Sequence, residues 1–311
     1  MGDTLTLTVF TVLTQMVVGA FIVLWLVWRS QCKTAAIGPS DISVGTLPVS
    51  APVNGGLFVL VVLQALAIIV ATLHLGHPLD FYLALSHLGS SWISWETLLT
   101  GLFFISLVAV NFSDSYRRQG LAAPLTAVLG VLALLASGMV YVMPARPAWD
   151  SLWPMVSFLL TAWLTGVPLG MVVVASVSKD VSPTSIFPWS NGVPVAAARE
   201  EDNNSHPTFA ATWYLFLVGI GVSVLVNILY LSTLADGRPE ATATLGNILT
   251  SPLFWLRVAF GWLLPAAFLL LQGHRGLRNT LILLALVLVG EILGRAVFYG
   301  SVVPMVIYQF K

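Results

Sequence analysis

Apolar residues in this protein run in long unbroken blocks rather than in the alternating or three-to-four spacing of a soluble strand or helix. A helix needs about 20 mostly apolar residues to cross the hydrocarbon core of a bilayer. Eight stretches qualify, near 5–28, 56–76, 92–112, 121–142, 152–176, 208–234, 252–272 and 278–307. Glycine, proline and charge punctuate the gaps, as in LGHPLDFYLALSHLGSS, NFSDSYRRQG and MPARPAWDS. The first block is too long for a cleavable signal core and is expected to be retained as a span. The pattern predicts an all-α, polytopic membrane bundle of about eight helices, forming one transmembrane domain over 1–311. Two long connectors, 29–55 and 177–207, are rich in Gly, Pro, Ser and polar residues and are expected to be irregular loops.

Composition agrees with the pattern. Hydrophobic residues make up 58 % of the 311 and charged residues 8 %, against about a quarter charged in soluble domains. Mean hydropathy is +0.92. The formal net charge is zero, which argues against a nucleic-acid partner and leaves the lipid bilayer as the expected surroundings. The lone Cys32 cannot hold an iron–sulfur cluster, which takes about four ligands. There is no Walker A motif and no zinc motif, so no metal site is expected.

The positive charges orient the bundle. With the N-terminus outside, inside connectors carry Arg29, Lys33, Arg117, Arg118, Lys179, Arg199, Arg275 and Arg278, whereas outside segments carry Arg146, Arg238 and Lys311. Cytoplasmic loops are the ones enriched in Lys and Arg, so both termini are expected outside.

Ionisable side chains inside hydrocarbon cost a few kcal/mol each on insertion scales and mark functional sites or mutual pairing. The polar residues in or at the edges of the spans are Gln15, His74, Glu96, Asn227, Arg257, Glu291 and Arg295. In the orientation above, His74, Glu96, Arg257 and Glu291 fall in the outer half, Glu291 about 20 Å into its span at 1.5 Å per residue. One polar chamber near the outer leaflet accounts for them together. Each also has a structural reading. Glu291 and Arg295, four residues apart, can pair; Arg257 can reach toward the headgroups; Glu96 can stabilise a helix N-terminus; Gln15 and Asn227 can bind neighbouring helices. Only His74 among the five histidines lies within or at the edge of a span, whereas a b-type haem usually takes two facing histidines. Any redox role therefore calls for a diffusible organic electron carrier and a partner subunit.

The segments FTVLTQMVVGAFIV (10–23), LHLGHP (73–78), SHLGSSWISWE (86–96), SLWPMVSFLLT (151–161), GVPLG (166–170) and GEILGRAVFYG (290–300) together resemble the membrane anchor subunit of bacterial dimethyl sulfoxide reductase, in order, spacing and number of spans. The 177–207 connector is longer than that family's pattern. The resemblance implies an enzyme complex of anaerobic respiration in the bacterial inner membrane. Its anchor, free of haem and iron–sulfur clusters, oxidises menaquinol and passes electrons to an iron–sulfur subunit with four [4Fe–4S] clusters. That subunit supplies a molybdopterin catalytic subunit. The family's quinol-associated histidine and glutamate correspond, by their flanking motifs, to His74 and Glu96, giving these two as catalytic candidates. Gln15, Arg257, Glu291 and Arg295 join them as quinol-binding candidates. Two other classes stay open on the sequence: the anchor of a polysulfide, tetrathionate or thiosulfate reductase, and a proton-coupled secondary transporter. A purely structural anchor would explain the charges by pairing alone.

Overall fold

The structure, a computed structural model, describes residues 2–35, 55–73, 78–113, 116–180, 207–272 and 277–305. All its regular elements are helical. They are α1 (Gly2–Ala35), α2 (Gly55–Leu73), α3 (Trp92–Asn111), α4 (Tyr116–Met139), α5 (Trp153–Asp180), α6 (Pro207–Ala235), α7 (Pro239–Thr250), α8 (Pro252–Arg257), α9 (Leu264–Gln272) and α10 (Leu277–Gly300). A 3₁₀ segment, Pro78–Leu85, precedes α3, and a π-helical turn, Val258–Leu263, joins α8 to α9. With α8, the π turn and α9 counted as one, eight helices among the described residues are long and apolar enough to cross a membrane. In hydrocarbon the backbone can satisfy its own hydrogen bonds only within a helix or a closed barrel, so the apolar blocks fold as the sequence leads one to expect.

Helices α1 and α5 form the centre. In α1, 72 % of the membrane-length window is buried and in α5 67 %, against 22 % in α6. Their seam is the most extensive helix pairing in the molecule, followed by α3 with α4 and α1 with α2. It closes on glycine: a Cβ on Gly19 would overlap the Ala162 carbonyl, and one on Gly166 the backbone of Gly19 and Ala20. One turn on, a Cβ on Gly170 would touch Val23. The GVPLG motif is thus a close-approach strip, the small-residue packing by which membrane helices gain van der Waals contact where lipid supplies no hydrophobic drive.

Several boundaries differ from the sequence reading. Helices α1 and α5 continue to Ala35 and Asp180, into the segments expected to be loops; the remainder of those segments lies almost wholly outside the described residues. The last helix stops at Gly300 rather than 307. Pro304 accounts for this, because a proline disfavours helical geometry in the residue before it and has no N–H to donate. The freed strand is tied down. Met305 N donates to the Ala145 carbonyl at 2.9 Å, Val303 N donates to Thr244 Oγ1 at 3.0 Å, and Asn247 Nδ2 donates to the Ser301 carbonyl at 3.1 Å. Helix α7 is an addition to the elements that block length predicts. Pro239 in its first turn suits a helix start, and Ala241, Thr244 and Ile248 turn one face inward. Helix α7, the 140–152 connector and residues 301–305 therefore form a hydrogen-bonded cover at the membrane face where α1 begins.

Candidate functional site: a buried polar chain beneath the cover

Four helices converge on the GEILGR motif of α10. Glycines 290 and 294 lie on its face toward α8 and the π turn. A Cβ on Gly290 would overlap the backbone of Gly261 and Phe260, and one on Gly294 would meet the Arg257 side chain, with Cδ at 2.6 Å. The first glycine lets the π turn approach, and the second makes room for the arginine. Mid-helix π turns are uncommon and recur at functional sites.

The neighbouring face of α10 carries the charge. Glu291 and Arg295 are 3 % and 4 % exposed, and both face the centre of the bundle. They meet through a third residue: the Thr161 hydroxyl on α5 donates to Glu291 Oε2 at 2.6 Å and accepts from Arg295 Nη2 at 3.5 Å. Arg295 Nη2 also donates to Gln15 Oε1 on α1 at 2.8 Å. Its guanidinium carbon lies 3.8 Å from the centre of the Phe158 ring and 5.5 Å from that of Phe298. Stacking on aromatic faces and planar hydrogen bonding are what a guanidinium, rather than an ammonium, supplies. Among the described residues three buried polar atoms lack a hydrogen-bond partner here: Glu291 Oε1, Gln15 Nε2 and Arg257 Nε. An unmet buried polar atom costs about 1–3 kcal/mol, so such a cluster in a membrane bundle calls for a role.

Glu96 stands on the other side. It lies in the first turns of α3, partly exposed, in the same helix turns as the exposed Trp92 and Trp95 and beside Ser137 of α4. Tyr141, in the connector after α4, links it to the cluster. The Tyr141 and Tyr299 hydroxyls are 2.8 Å apart. Burial pushes the Tyr141 phenol well above its ordinary value, the neighbouring Tyr299 and Glu96 add to this, and Arg295 opposes it. The hydroxyl therefore keeps its proton. The Tyr141 ring packs against Trp149, Phe158 and Phe298, and Arg146 covers Trp149 at 4.7 Å. An aromatic wall with one hydroxyl pair running through it separates Glu96 from the α10 charges.

Beyond those charges is a cavity of about 70 Å³ between α5, α6, α8 and α10. Arg257, Glu291 and Arg295 line it, with Asn227 and Ser223 of α6 opposite. Arg257 turns into the bundle rather than out to the headgroups, its guanidinium 4.9 Å from the centre of the Trp262 ring.

Sequence similarity adds the molecular context. Residues 1–301 match the family described as DMSO reductase anchor subunit (DmsC). The protein belongs to the DMSO reductase anchor subunit family. It is similar to the C subunit of the anaerobic dimethyl sulfoxide reductase of Escherichia coli, at 28 % identity over 305 residues, with 94 % of this sequence and 93 % of that one covered. The YnfH subunit of an anaerobic dimethyl sulfoxide reductase of the same organism is 27 % identical over 304 residues, with 94 % and 93 % covered. The corresponding C subunit from Haemophilus influenzae is 27 % identical over 170 residues, with 53 % and 56 % covered. This DmsC-family protein is therefore the membrane anchor of a DMSO reductase-type complex.

Of the six quinol-site candidates in this DmsC-family protein, Gln15, Arg257, Glu291 and Arg295 form one cluster, and Glu96 is set apart from it across the Tyr141 wall. His74 lies outside the described residues. Thr161, Tyr141 and Tyr299 escape the sequence reading, although Thr161 and Tyr299 fall within the SLWPMVSFLLT and GEILGRAVFYG segments; a hydroxyl in an apolar run does not stand out by charge. Gln64 escapes it too. It is fully buried in α2, and its Nε2 donates to Thr14 Oγ1 at 3.4 Å.

Proposed function

We propose that this anchor oxidises menaquinol from the bilayer and passes the electrons to an iron–sulfur subunit with four [4Fe–4S] clusters, which supplies a molybdopterin catalytic subunit of the dimethyl sulfoxide reductase type. The observation that carries this reading is the Tyr141–Tyr299 hydroxyl pair, 2.8 Å apart, with the partly exposed Glu96 near Tyr141 on one side and the buried Arg295 near it on the other. A quinol gives up two protons with its two electrons. A site for it needs acceptors at the hydroxyls, an apolar rim for ring and tail, and a path by which protons leave. The residues fit. Glu96 is an acceptor flanked by Trp92 and Trp95, and the Tyr141 hydroxyl can donate or accept.

In this mechanism His74 and Glu96 are the catalytic residues. The imidazole of His74 accepts a hydroxyl proton in the neutral range, and Glu96 accepts the other. Tyr141 and Tyr299 re-form their hydrogen bond around each transfer, so neither has to ionise. Arg295, held by Gln15, Thr161 and Phe158, keeps a fixed positive charge behind the wall. It favours the anionic form of a group in front of it. Glu291 and Arg257 complete the polar end. The Lys and Arg bias supports a periplasmic position for both termini, and with them for this half of the bundle, at the inner membrane.

The test uses the assembled complex. His74→Ala and Glu96→Gln should each abolish menaquinol-supported reduction of dimethyl sulfoxide, while reduced viologen, which donates directly to the partner subunits, still supports it. Quinol turnover that survives both substitutions would remove the assignment.

A further inference from the structure

We infer that the cavity between α5, α6, α8 and α10 is a water-filled proton exit, and that Glu291 hands to its water the protons released by the quinol. The inference rests on the menaquinol reading above and adds a second site, distinct from the one at Glu96.

Three observations carry it. The first is size and lining. A buried water occupies roughly 10–15 Å³ of such space and needs two to four polar partners. A cavity of about 70 Å³ has room for several waters. Ser157, Ser223, Asn227, Arg257 and Glu291 line it and supply donors and acceptors at several heights. The second is Glu291 itself, 3 % exposed at the cavity edge. Its Oε2 is engaged by Thr161, and its Oε1 has no partner among the described residues. A buried carboxylate oxygen without a partner calls for a donor, and at the cavity edge water can supply one once the side chain shifts toward it. The third is direction. The cavity extends to Trp153, Ile248 and Val302, which belong to the start of α5, to α7 and to the segment after α10. All three lie at the face where α1 begins, so water in the cavity leads to that face.

The transfer balances without further reactants. The two electrons go to the iron–sulfur partner. Each proton, taken first at His74 or Glu96, crosses the wall by exchange along the Tyr141–Tyr299 pair, is carried by water from Tyr299, and arrives at the Glu291 carboxylate as an O–H bond. That bond breaks toward a cavity water, giving hydronium, which leaves at the face, and Glu291 returns to its anionic form. Arg257 and Arg295 cannot give up their protons at physiological pH, so they are not carriers. Two guanidiniums against one carboxylate leave the cavity edge net positive. A proton there is driven outward rather than stored.

Glu291→Gln keeps the shape and the Thr161 contact but cannot be protonated. In the assembled complex it should lower kcat with menaquinol about a hundredfold, the lower end of what a positioned proton acceptor contributes. KM for the quinol should stay as in wild type, the solvent deuterium isotope effect on kcat should rise, and Glu291→Asp should restore much of the rate. A merely structural role would not move the isotope effect. Val226→Phe, which fills the cavity from α6 and replaces no charged group, should slow turnover in the same way, and it decides the matter if Glu291→Gln fails to assemble. Wild-type kcat and isotope effect in an assembled variant would overturn the inference, and so would a change confined to KM, which would make Glu291 a quinol ligand. A wild-type complex with no menaquinol-supported reduction at all would instead overturn the functional reading on which this rests.

Discussion

Two seams in this bundle close on glycine pairs, and they differ in what they bring together. Between α1 and α5, Gly19 and Gly166 let two backbones meet beside the buried, apolar Val17, Ala20 and Ala162, a turn away from Gln15 and Thr161, which face α10. Between α10 and the π turn, Gly290 and Gly261 meet in the same way. There the next glycine of α10 seats an arginine, and the adjoining face carries Glu291 and Arg295. The same device makes a dry hinge post in one place and a polar recess in the other. Close packing sets how near two helices come. The side chains one residue round the helix set whether water and charge are admitted.

The α1–α5 seam is the more vulnerable of the two. Gly166→Leu drives a side chain into the Gly19 and Ala20 backbone, where no flexible atom can yield. The loss should exceed the about 1–3 kcal/mol of ordinary overpacking. The expected outcome is failure to recover the subunit in the membrane with its partners, checked by immunoblot of solubilised complex. A stable complex would show that the two helices can part without unfolding the bundle.

At the polar seam the largest effect should come from Arg295→Met. It removes the cation that Glu291, Thr161 and Gln15 surround, and breaking a buried charge pair from one side costs about 3–5 kcal/mol. A clear fall in the melting temperature of the purified complex is expected. Arg295→Lys should recover only part of it, because an ammonium neither stacks on Phe158 as a plane nor spans two acceptors.

The smallest change sharpens the contrast. Gly294→Ala meets only the far end of the Arg257 side chain, which can swing away. Thermal stability should hardly move, whereas the position of Arg257 changes, and quinol-supported turnover should fall more than stability does. Equal, large losses in both would mean that Arg257 is as fixed as the Gly19 backbone.

Much of this is legible in the sequence. The eight spans follow from block length alone, and Glu291, Arg295, Arg257 and Gln15 stand out because charge and amide groups are costly in hydrocarbon. What escapes is neutral. Thr161, Tyr141 and Tyr299 carry hydroxyls that occur throughout apolar helices, and nothing along the sequence says which of them meet. Helix α7 is hidden for a different reason: twelve residues are too short to register as a span, and its buried face is only three residues deep. The end of α10 is overrun because hydropathy continues past Gly300 although the helix does not.

Eight membrane crossings can be read off the residues in order, and so can the expectation that the ionisable ones share one half of the bilayer. Both follow from the cost of exposing backbone or charge to hydrocarbon, a property of each segment taken alone. That Glu291 and Arg295 are joined through Thr161, that Arg257 turns inward over Gly294, and that an aromatic wall sets Glu96 apart from them emerges only when the helices pack. Those outcomes depend on how closely helices distant in sequence approach and on which faces they turn to one another, and no single segment contains that information.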